Sequence, residues 1–360
     1  MKEDKNEFVD TEDRLFDAIS HLIDKSRSQV SKAINTAMVY TYYAVGQYIV
    51  DYEQDGKVRA EYGKNLLKRL SARLMSRYER GWSVDTLENC RKFFLTYSIS
   101  EPSARISDQS AISEPLVRKS PHFILPWTHY LILMREKNPN ARHFYEIEAS
   151  RQQWSKRQLQ HQVASSLYER LAISKDKNEV MRLATEGQVV EKPTDILKNP
   201  LVLDFIGIKP DSSYSEQKLE SAILDKLEDF LMECGKGFLF EARQKRFTFD
   251  EDNFYVDLVL YNRILQCYVL VDLKIDKLTH QDLGQMMMYV NYFDRYKRLN
   301  FEKPTIGILL CPTKNDAMVE LTLPKEANIY AQEYALCLPK KEELKQKLEE
   351  WMSEYDERNL

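Results

Sequence analysis

The sequence predicts an α+β chain: a helical first half, then a unit of mixed helix and strand pattern. Three observations predict it. Apolar residues recur every three or four positions through most of the first 171 residues, the spacing of helices that bury one face. Near residue 214 the pattern changes to helix, three strands, helix and strand. With 43% hydrophobic and 30% charged residues, and only 10 Gly and 12 Pro in 360, the chain has material for cores and few breakers. Its length suits roughly two or three domains.

Residues 13–52 read as one long helix, with Leu15, Ile19, Leu22 and Ile23, then Ile34, Met38, Tyr42 and Val45, at helical spacing. Residues 62–80 continue as helix, with Leu66, Leu67, Leu70 and Leu74 as the apolar stripe. Gly81 breaks the pattern, Ser83 can cap a following helix, and that helix reaches about Tyr97. Helix, Gly-containing turn, helix is the spacing of a helix-turn-helix. Between Lys57 and Lys92 ten Lys or Arg face four acids, a local excess of six in a chain whose net charge is −4. Arg69, Arg73, Arg77 and Arg80 lie largely outside the apolar stripe. A solvated helix face is the commoner reading of such a run. Its coincidence with the turn makes contact with DNA phosphates the competing one.

Residues 98–121 are rich in Ser and Pro and read as a flexible loop. A second helical lobe spans about 126–171. In it Trp154-Ser155 with Leu159 echoes Trp82-Ser83 with Leu87, which suggests two related helix-turn-helix-like lobes. Lys156 and Arg157 follow the second Ser, where a second helix would read DNA. Trp82 and Trp154 read as core residues rather than base-stacking platforms. This organisation gives a helical N-terminal domain over 1–175 and a linker over 176–212.

The C-terminal unit is expected over 213–340. Residues 215–234 form an amphipathic helix on Leu219, Ile223, Leu227, Phe230 and Leu231, ended by Gly235 and Gly237. Strands follow at 238–247, 254–261 and 266–274, joined by turns at 250–253 and 262–263. A helix at 280–299, a buried strand at 305–310 and a short strand at 329–336 complete the unit. Residues 341–360 read as a charged helix with four bases and seven acids.

The chemistry lies in the strands. Alternation along 266–274 puts Asp272 and Lys274 on one face at the C-terminal end of the strand. Asp257, in the preceding hairpin strand, can then come beside Asp272. Two carboxylates side by side in an apolar sheet repel each other, and a divalent cation removes that penalty. Mg²⁺ prefers hard oxygen ligands, can bind a phosphate oxygen and can activate water. Lys274 would orient that water or stabilise developing charge. Glu220, on the helix before the sheet, could add a carboxylate. Gln285 and Tyr289, four apart on the next helix, share a face and could hold a nucleic-acid backbone or the carboxylates. Arg243, on the first strand, joins the basic residues as a candidate phosphate contact. A lone D-x-K is usually a solvated strand end; the order helix-Glu, strand, strand-Asp, strand-DxK, helix-QxxxY is what singles this one out.

The segment GFLFEARQKRFTFDEDNFYVDLVLYNRILQCYVLVDLKIDKLTHQDLGQMMMYVNYF resembles the YhcG-type PD-(D/E)xK nucleases, and TIGILLCPTK looks like that family's following strand. Upstream, AEYGKNLLKRLSARL, GWSVDTLENCRKFF, LPWTHYLILM, ARHFYEIEA and WSKRQLQHQ resemble its N-terminal domain of unknown function. The resemblance spans about residues 30–340. It implies a restriction-endonuclease-like α/β core with a mixed central sheet, and Glu220, Asp257, Asp272, Lys274, Gln285 and Tyr289 as active-site positions. The QxxxY pair is similar to that of RecB-like nucleases. Asp272 stands where the family usually has Glu, and Val256 where the motif's proline would be; the superfamily pattern permits both. The resemblance thus implies Mg²⁺ or Mn²⁺, held by Asp257 and Asp272, and hydrolysis of DNA in phage defence, restriction or repair. Expected partners are DNA, proteins of such a system, and further copies of the chain joined through the N-terminal helices. The competing expectation is an attenuated nuclease fold that serves as a DNA-binding or assembly module.

Other classes find no support. The five cysteines are scattered without a CxxC pair, against structural zinc or a disulfide framework and in keeping with a reducing cytoplasm. The six histidines show no HxxxH or HExxH spacing, and there is no GxxxxGK[ST] phosphate loop. No run of about 18 uncharged apolar residues and no apolar leader at the N-terminus are seen, so a cytoplasmic protein away from membranes is expected.

Overall fold

The structure, a computed structural model, describes residues 4–55, 60–98, 122–173, 177–198, 200–209, 213–249, 251–338, 340–344 and 346. The loop expected at 98–121 lies outside them from residue 99 on, as does most of the helix expected at 341–360. The chain divides into two compact units, Met1–Leu159 and Gln160–Leu360. The α+β class is as expected: helices in the first unit, a mixed sheet with helices in the second.

The first unit holds α1 (Asp4–Asp55), α2 (Ala60–Tyr78), α3 (Val84–Ser98), α4 (Trp127–Leu133), α5 (Pro139–Arg151) and the start of α6 (Lys156–Ala164). Glu79 and Gly81, at φ 62° and 100°, turn the chain between α2 and α3. The turn is fixed by Ser71 Oγ donating to Trp82 O (2.8 Å) and by Thr86 N donating to Ser83 Oγ (3.2 Å). Ser155 starts α6 in a similar way: its Oγ accepts from Gln158 N (3.3 Å), and its own N donates to Gln158 Oε1 (2.8 Å). Leu87 and Leu159, at the matching offset, are both fully buried. The six-residue echo therefore marks two equivalent helix starts. Along α1 the stripe read from the sequence is not the buried face: Ile19, Leu22, Ile23, Ile34 and Met38 are exposed and Tyr42 and Val45 half-buried, while the neighbouring Val39, Tyr43, Ile49 and Val50 are buried.

Tyr43, Phe93, Tyr97, Phe123 and Tyr130 form a continuous aromatic cluster, and Tyr130 Oη donates to Glu146 Oε1 at 2.6 Å. α1 crosses α3 at Gly46, where a Cβ would lie 2.0 Å from the carbonyl oxygen of Cys90. Gly46→Ala therefore forces two helix backbones apart. It is expected to destabilise the protein by about 1–3 kcal/mol despite the better helix propensity of Ala, which thermal unfolding checks.

The second unit holds α7 (Leu167–Ala172), α8 (Lys177–Glu186), β1 (Leu201–Val202), α9 (Glu216–Asp225), α10 (Leu227–Cys234), β2 (Phe238–Phe249), β3 (Asp252–Asn262), β4 (Cys267–Leu273), α11 (His280–Tyr296), β5 (Ile306–Cys311), α12 (Asp316–Thr322) and β6 (Ile329–Ala335). The six strands are ordered β1-β6-β5-β4-β3-β2. β2, β3 and β4 pair antiparallel, while β4, β5, β6 and β1 pair parallel. Leu258, Leu260, Val269, Val271 and Ile308 bury one face of the sheet against Leu219, Ile223 and Phe230 of α9 and α10. Val259, Leu270 and Leu309 bury the other against Leu283, Met286, Tyr289 and Phe293 of α11.

Two expectations change. The helix expected over 215–234 is two helices that break at Lys226 (φ −124°, ψ 36°), and the second carries Phe230 into the core. The stretch read as a linker over 176–212 includes α8 and β1, and its Ile196, Leu201, Leu203 and Ile208 are core residues of the sheet unit. Its polarity hides a run of apolar residues at 201–208 that pairs with and packs on β6.

Arg170 and Glu233 join this region to α10. Arg170 is fully buried, and its guanidinium donates to both Glu233 oxygens at 2.5 and 3.4 Å, to Pro200 O at 2.9 Å and to Ser165 O at 2.8 Å. Glu233 Oε1 also accepts from Val202 N at 2.9 Å.

Candidate active site

β3 and β4 are paired from Asn262↔Cys267 to Leu258↔Val271. One step further, Asp257 would stand opposite Asp272, and there the ladder stops. Instead Asp257 Oδ2 accepts from the backbone N–H of Leu273 at 2.8 Å. A side chain thus takes the donor that the strand backbone would have taken, and the strands part. The alternation of β3 breaks at the same residue: Val256 belongs to the α11 core and Leu258 to the α9 core, although they are two apart. Beyond the split, β4 continues on β5, with Lys274 N donating to Leu310 O at 2.8 Å.

Asp257, Asp272 and Lys274 meet at this opening. Asp272 is 3% exposed. Its Oδ2 lies 2.8 Å from Lys274 Nζ but outside hydrogen-bond geometry, and that oxygen is buried without a hydrogen-bond partner. Burial, and then the negative charge of Asp257, push the Asp272 carboxyl up to about 7; Lys274 opposes them. Burial disfavours the charge on Lys274, yet Asp272 above all, with Glu216 and Asp282, holds its pKa above that of an ordinary amine. Lys274 Nζ is 3.8 Å from Asp282 Oδ1. Asp282 itself caps α11, accepting from Thr279 N at 2.8 Å and Thr279 Oγ1 at 2.6 Å.

Glu220 is buried on α9 and joins the group through Gln244 of β2. The side-chain amide of Gln244 donates to Glu220 Oε2 at 2.7 Å and to Asp257 Oδ1 at 2.9 Å. On α11, Gln285 donates to the hydroxyl of Tyr289. Burial raises the Tyr289 hydroxyl, and Asp272, Lys274 and Asp257 all act on it, so this pair borders the same opening. The structure thus gathers all six residues named from the D-x-K pattern and its flanks. It adds Gln244 and Asp282, which that pattern does not contain. Gln244 stands across from Asp257 between the pairs Arg243↔Leu258 and Lys245↔Val256, a register the pattern does not announce. The basic residues do not join this group. Arg69, Arg73, Arg77, Arg80, Lys156 and Arg157 are exposed in the first unit, and Arg243 is exposed on β2 beside Gln244.

The donors are all carboxylates, a set suited to a hard divalent ion that keeps waters, not to zinc. Among the described residues, no group of three or more His, Cys, Asp or Glu gathers for a metal, so Asp257 and Asp272 are the pair on offer. The buried Asp272 oxygen, which has the Lys274 charge beside it but no hydrogen bond, and the repulsion between the two carboxylates are what a cation would relieve.

Residues 194–349 match the YhcG PDDEXK nuclease domain, and residues 18–170 match the DUF1016 N-terminal domain. The Escherichia coli (strain K12) protein "Putative nuclease YhcG" is 36% identical over 353 residues, 93% of each chain. The chain belongs to the YhcG PDDEXK nuclease family. The nuclease-domain match of this YhcG-family chain begins at 194, inside the stretch read as a linker. Among solved structures, a repair endonuclease from Pyrococcus abyssi shares 19% identity over 37% of this chain and 50% of that one, with a TM-score of 0.24. An EndoMS–dsDNA complex shares 16% over 37% and 51%, with a TM-score of 0.26. The chain thus spans about half the length of each. Among the described residues, no helix is long and apolar enough to cross a membrane.

Proposed function

We propose that this YhcG-family protein hydrolyses phosphodiester bonds of DNA with Mg²⁺ or Mn²⁺ held by Asp257 and Asp272. One observation carries the reading: two carboxylates, one with a buried oxygen lacking a hydrogen-bond partner, adjoin a lysine where β3 leaves β4. When bound, the ion supplies Lewis-acid polarisation of a phosphate oxygen and activation of water. The protein's own groups do the rest. Lys274 presents a half-buried positive charge to the phosphate and can orient the attacking water. Gln244, bonded to Glu220, holds Asp257 in place, and exposed Gln285, backed by the buried Tyr289, stands at the rim where a backbone would lie. The test is cleavage of linear, circular, single-stranded and branched DNA with and without Mg²⁺ or Mn²⁺. Cutting in excess EDTA, or no cutting of any of them, overturns the reading.

Arg69, Arg73, Arg77, Arg80, Lys156 and Arg157, at two equivalent helix starts or on the helix before one, form the proposed DNA-contacting surface of the first unit, with Arg243 on β2. Arg73→Glu with Arg77→Glu is expected to weaken DNA binding uniformly across sequences. It should also flatten the dependence of binding on salt by about 2 in log–log slope, measured by fluorescence anisotropy.

A further inference from the structure

We infer that Gln244 is a positioning residue that yokes Glu220 to Asp257 and so shapes the metal site; this rests on the nuclease reading above. The local backbone is the first argument. Gln244 has φ 43°, in the left-handed region that side chains other than Gly, Asn and Asp rarely adopt. It sits within a twelve-residue strand. Arg243 pairs with Leu258 and Lys245 with Val256, so Gln244 stands across from Asp257, the residue at which β3 breaks its own alternation. Two irregularities face each other at one level of the hairpin, and both turn side chains toward the opening.

The hydrogen bonds are the second. One amide nitrogen has two hydrogens, and here each meets a different carboxylate, Glu220 Oε2 at 2.7 Å and Asp257 Oδ1 at 2.9 Å. The carboxylates come from different elements, α9 and β3. With the amide as donor to both, each carboxylate is held as an acceptor, the form in which it can also face a cation. Asp257 is then fixed on both oxygens, by Gln244 on one and by Leu273 N on the other. Gln244 is bonded to Asp257 and to Glu220, and it acts on the site through Asp257. Left-handed strain at such a site persists only where surrounding contacts hold it, and these two bonds are such contacts.

The experiment uses the full chain carrying Gln244→Gly. Glycine suits the left-handed backbone, so the thermal midpoint in EDTA should stay level or rise, which separates positioning from folding. Mn²⁺ affinity, by calorimetry, should fall roughly 10- to 100-fold, as when the partner of a metal ligand is removed, and cleavage should fall with it. Gln244→Asn keeps an amide and tolerates the backbone, so it should recover part of the affinity. Asp257→Ala serves as the reference for a lost ligand. If Gln244→Gly binds Mn²⁺ as the natural protein does while Asp257→Ala does not, the yoke is wrong and the nuclease reading stands. If the natural protein binds Mn²⁺, Gln244→Gly weakens it and no DNA is cut, the yoke stands and the nuclease reading falls. Absence of Mn²⁺ binding by the natural protein overturns both.

Discussion

Asp257→Ala and Lys274→Ala should each lower metal-dependent cleavage by ~10²–10³-fold, the scale of removing one group that stabilises developing charge. They should do so differently. Lys274→Ala leaves both carboxylates in place and removes the cation beside them, so Mn²⁺ should still bind while turnover falls. Asp257→Ala removes a proposed ligand and also leaves the Leu273 N–H without its acceptor, so metal binding should fall as well. Asp272 gives a sharper control. Asp272→Glu should retain cleavage, since it keeps a carboxylate at that position. Asp272→Asn, of the same size but without charge, should not. Cleavage that persists in Asp257→Ala and Lys274→Ala would place the chemistry elsewhere in the chain.

Glu233→Ala should cost about 3–5 kcal/mol, because it leaves Arg170 buried without its counter-ion. Lys198, also buried, loses the same anion. For a unit of this size the melting temperature should drop by roughly 10 °C. Burial alone would raise the Glu233 pKa, but Lys198, Arg170 and the Val202 N–H outweigh it and lower the pKa below the ordinary 4.5. A carboxyl whose folded pKa lies below its unfolded one stabilises fully above the unfolded value. That stabilisation is lost as pH falls from about 4.5 through the lower folded value. Acid unfolding followed by circular dichroism should therefore be less steep in Glu233→Gln below that pH. An unchanged acid limb in Glu233→Gln would show that other carboxyls govern acid unfolding.

Much of this was legible because it rests on local pattern. Period-2 alternation set Asp272 and Lys274 on one face, and the turn signal expected at 250–253 marked the hairpin that carries Asp257, although Asp252 and Asn253 are already paired in β3. What remained hidden depends on three-dimensional register. Nothing in E-A-R-Q-K-R says that the glutamine faces Asp257, because its meaning comes from a left-handed backbone that the sequence does not advertise. The helix break at Lys226 was hidden too, since an apolar stripe at helical spacing does not reveal a change of direction. The run LVLDFIGI at 201–208 is too short to announce a strand, and it is fixed only by pairing with β6, more than a hundred residues later. Arg170 and Glu233 each read as surface residues until packing brings them together.

The two-residue strand β1 also has a bearing on how the nuclease unit would behave in isolation. It lies at one margin of the sheet, beside β6. Cut away with the stretch before Tyr214, it would uncover unpaired amides and carbonyls of β6, a template on which another molecule's strand could add. The opposite margin, β2, is already defended by exposed Glu241, Arg243 and Arg246 and by a register shift between Phe240 and Ala242. A fragment starting near 213 should therefore clump through its β6 side, whereas one starting near 160 should stay dispersed.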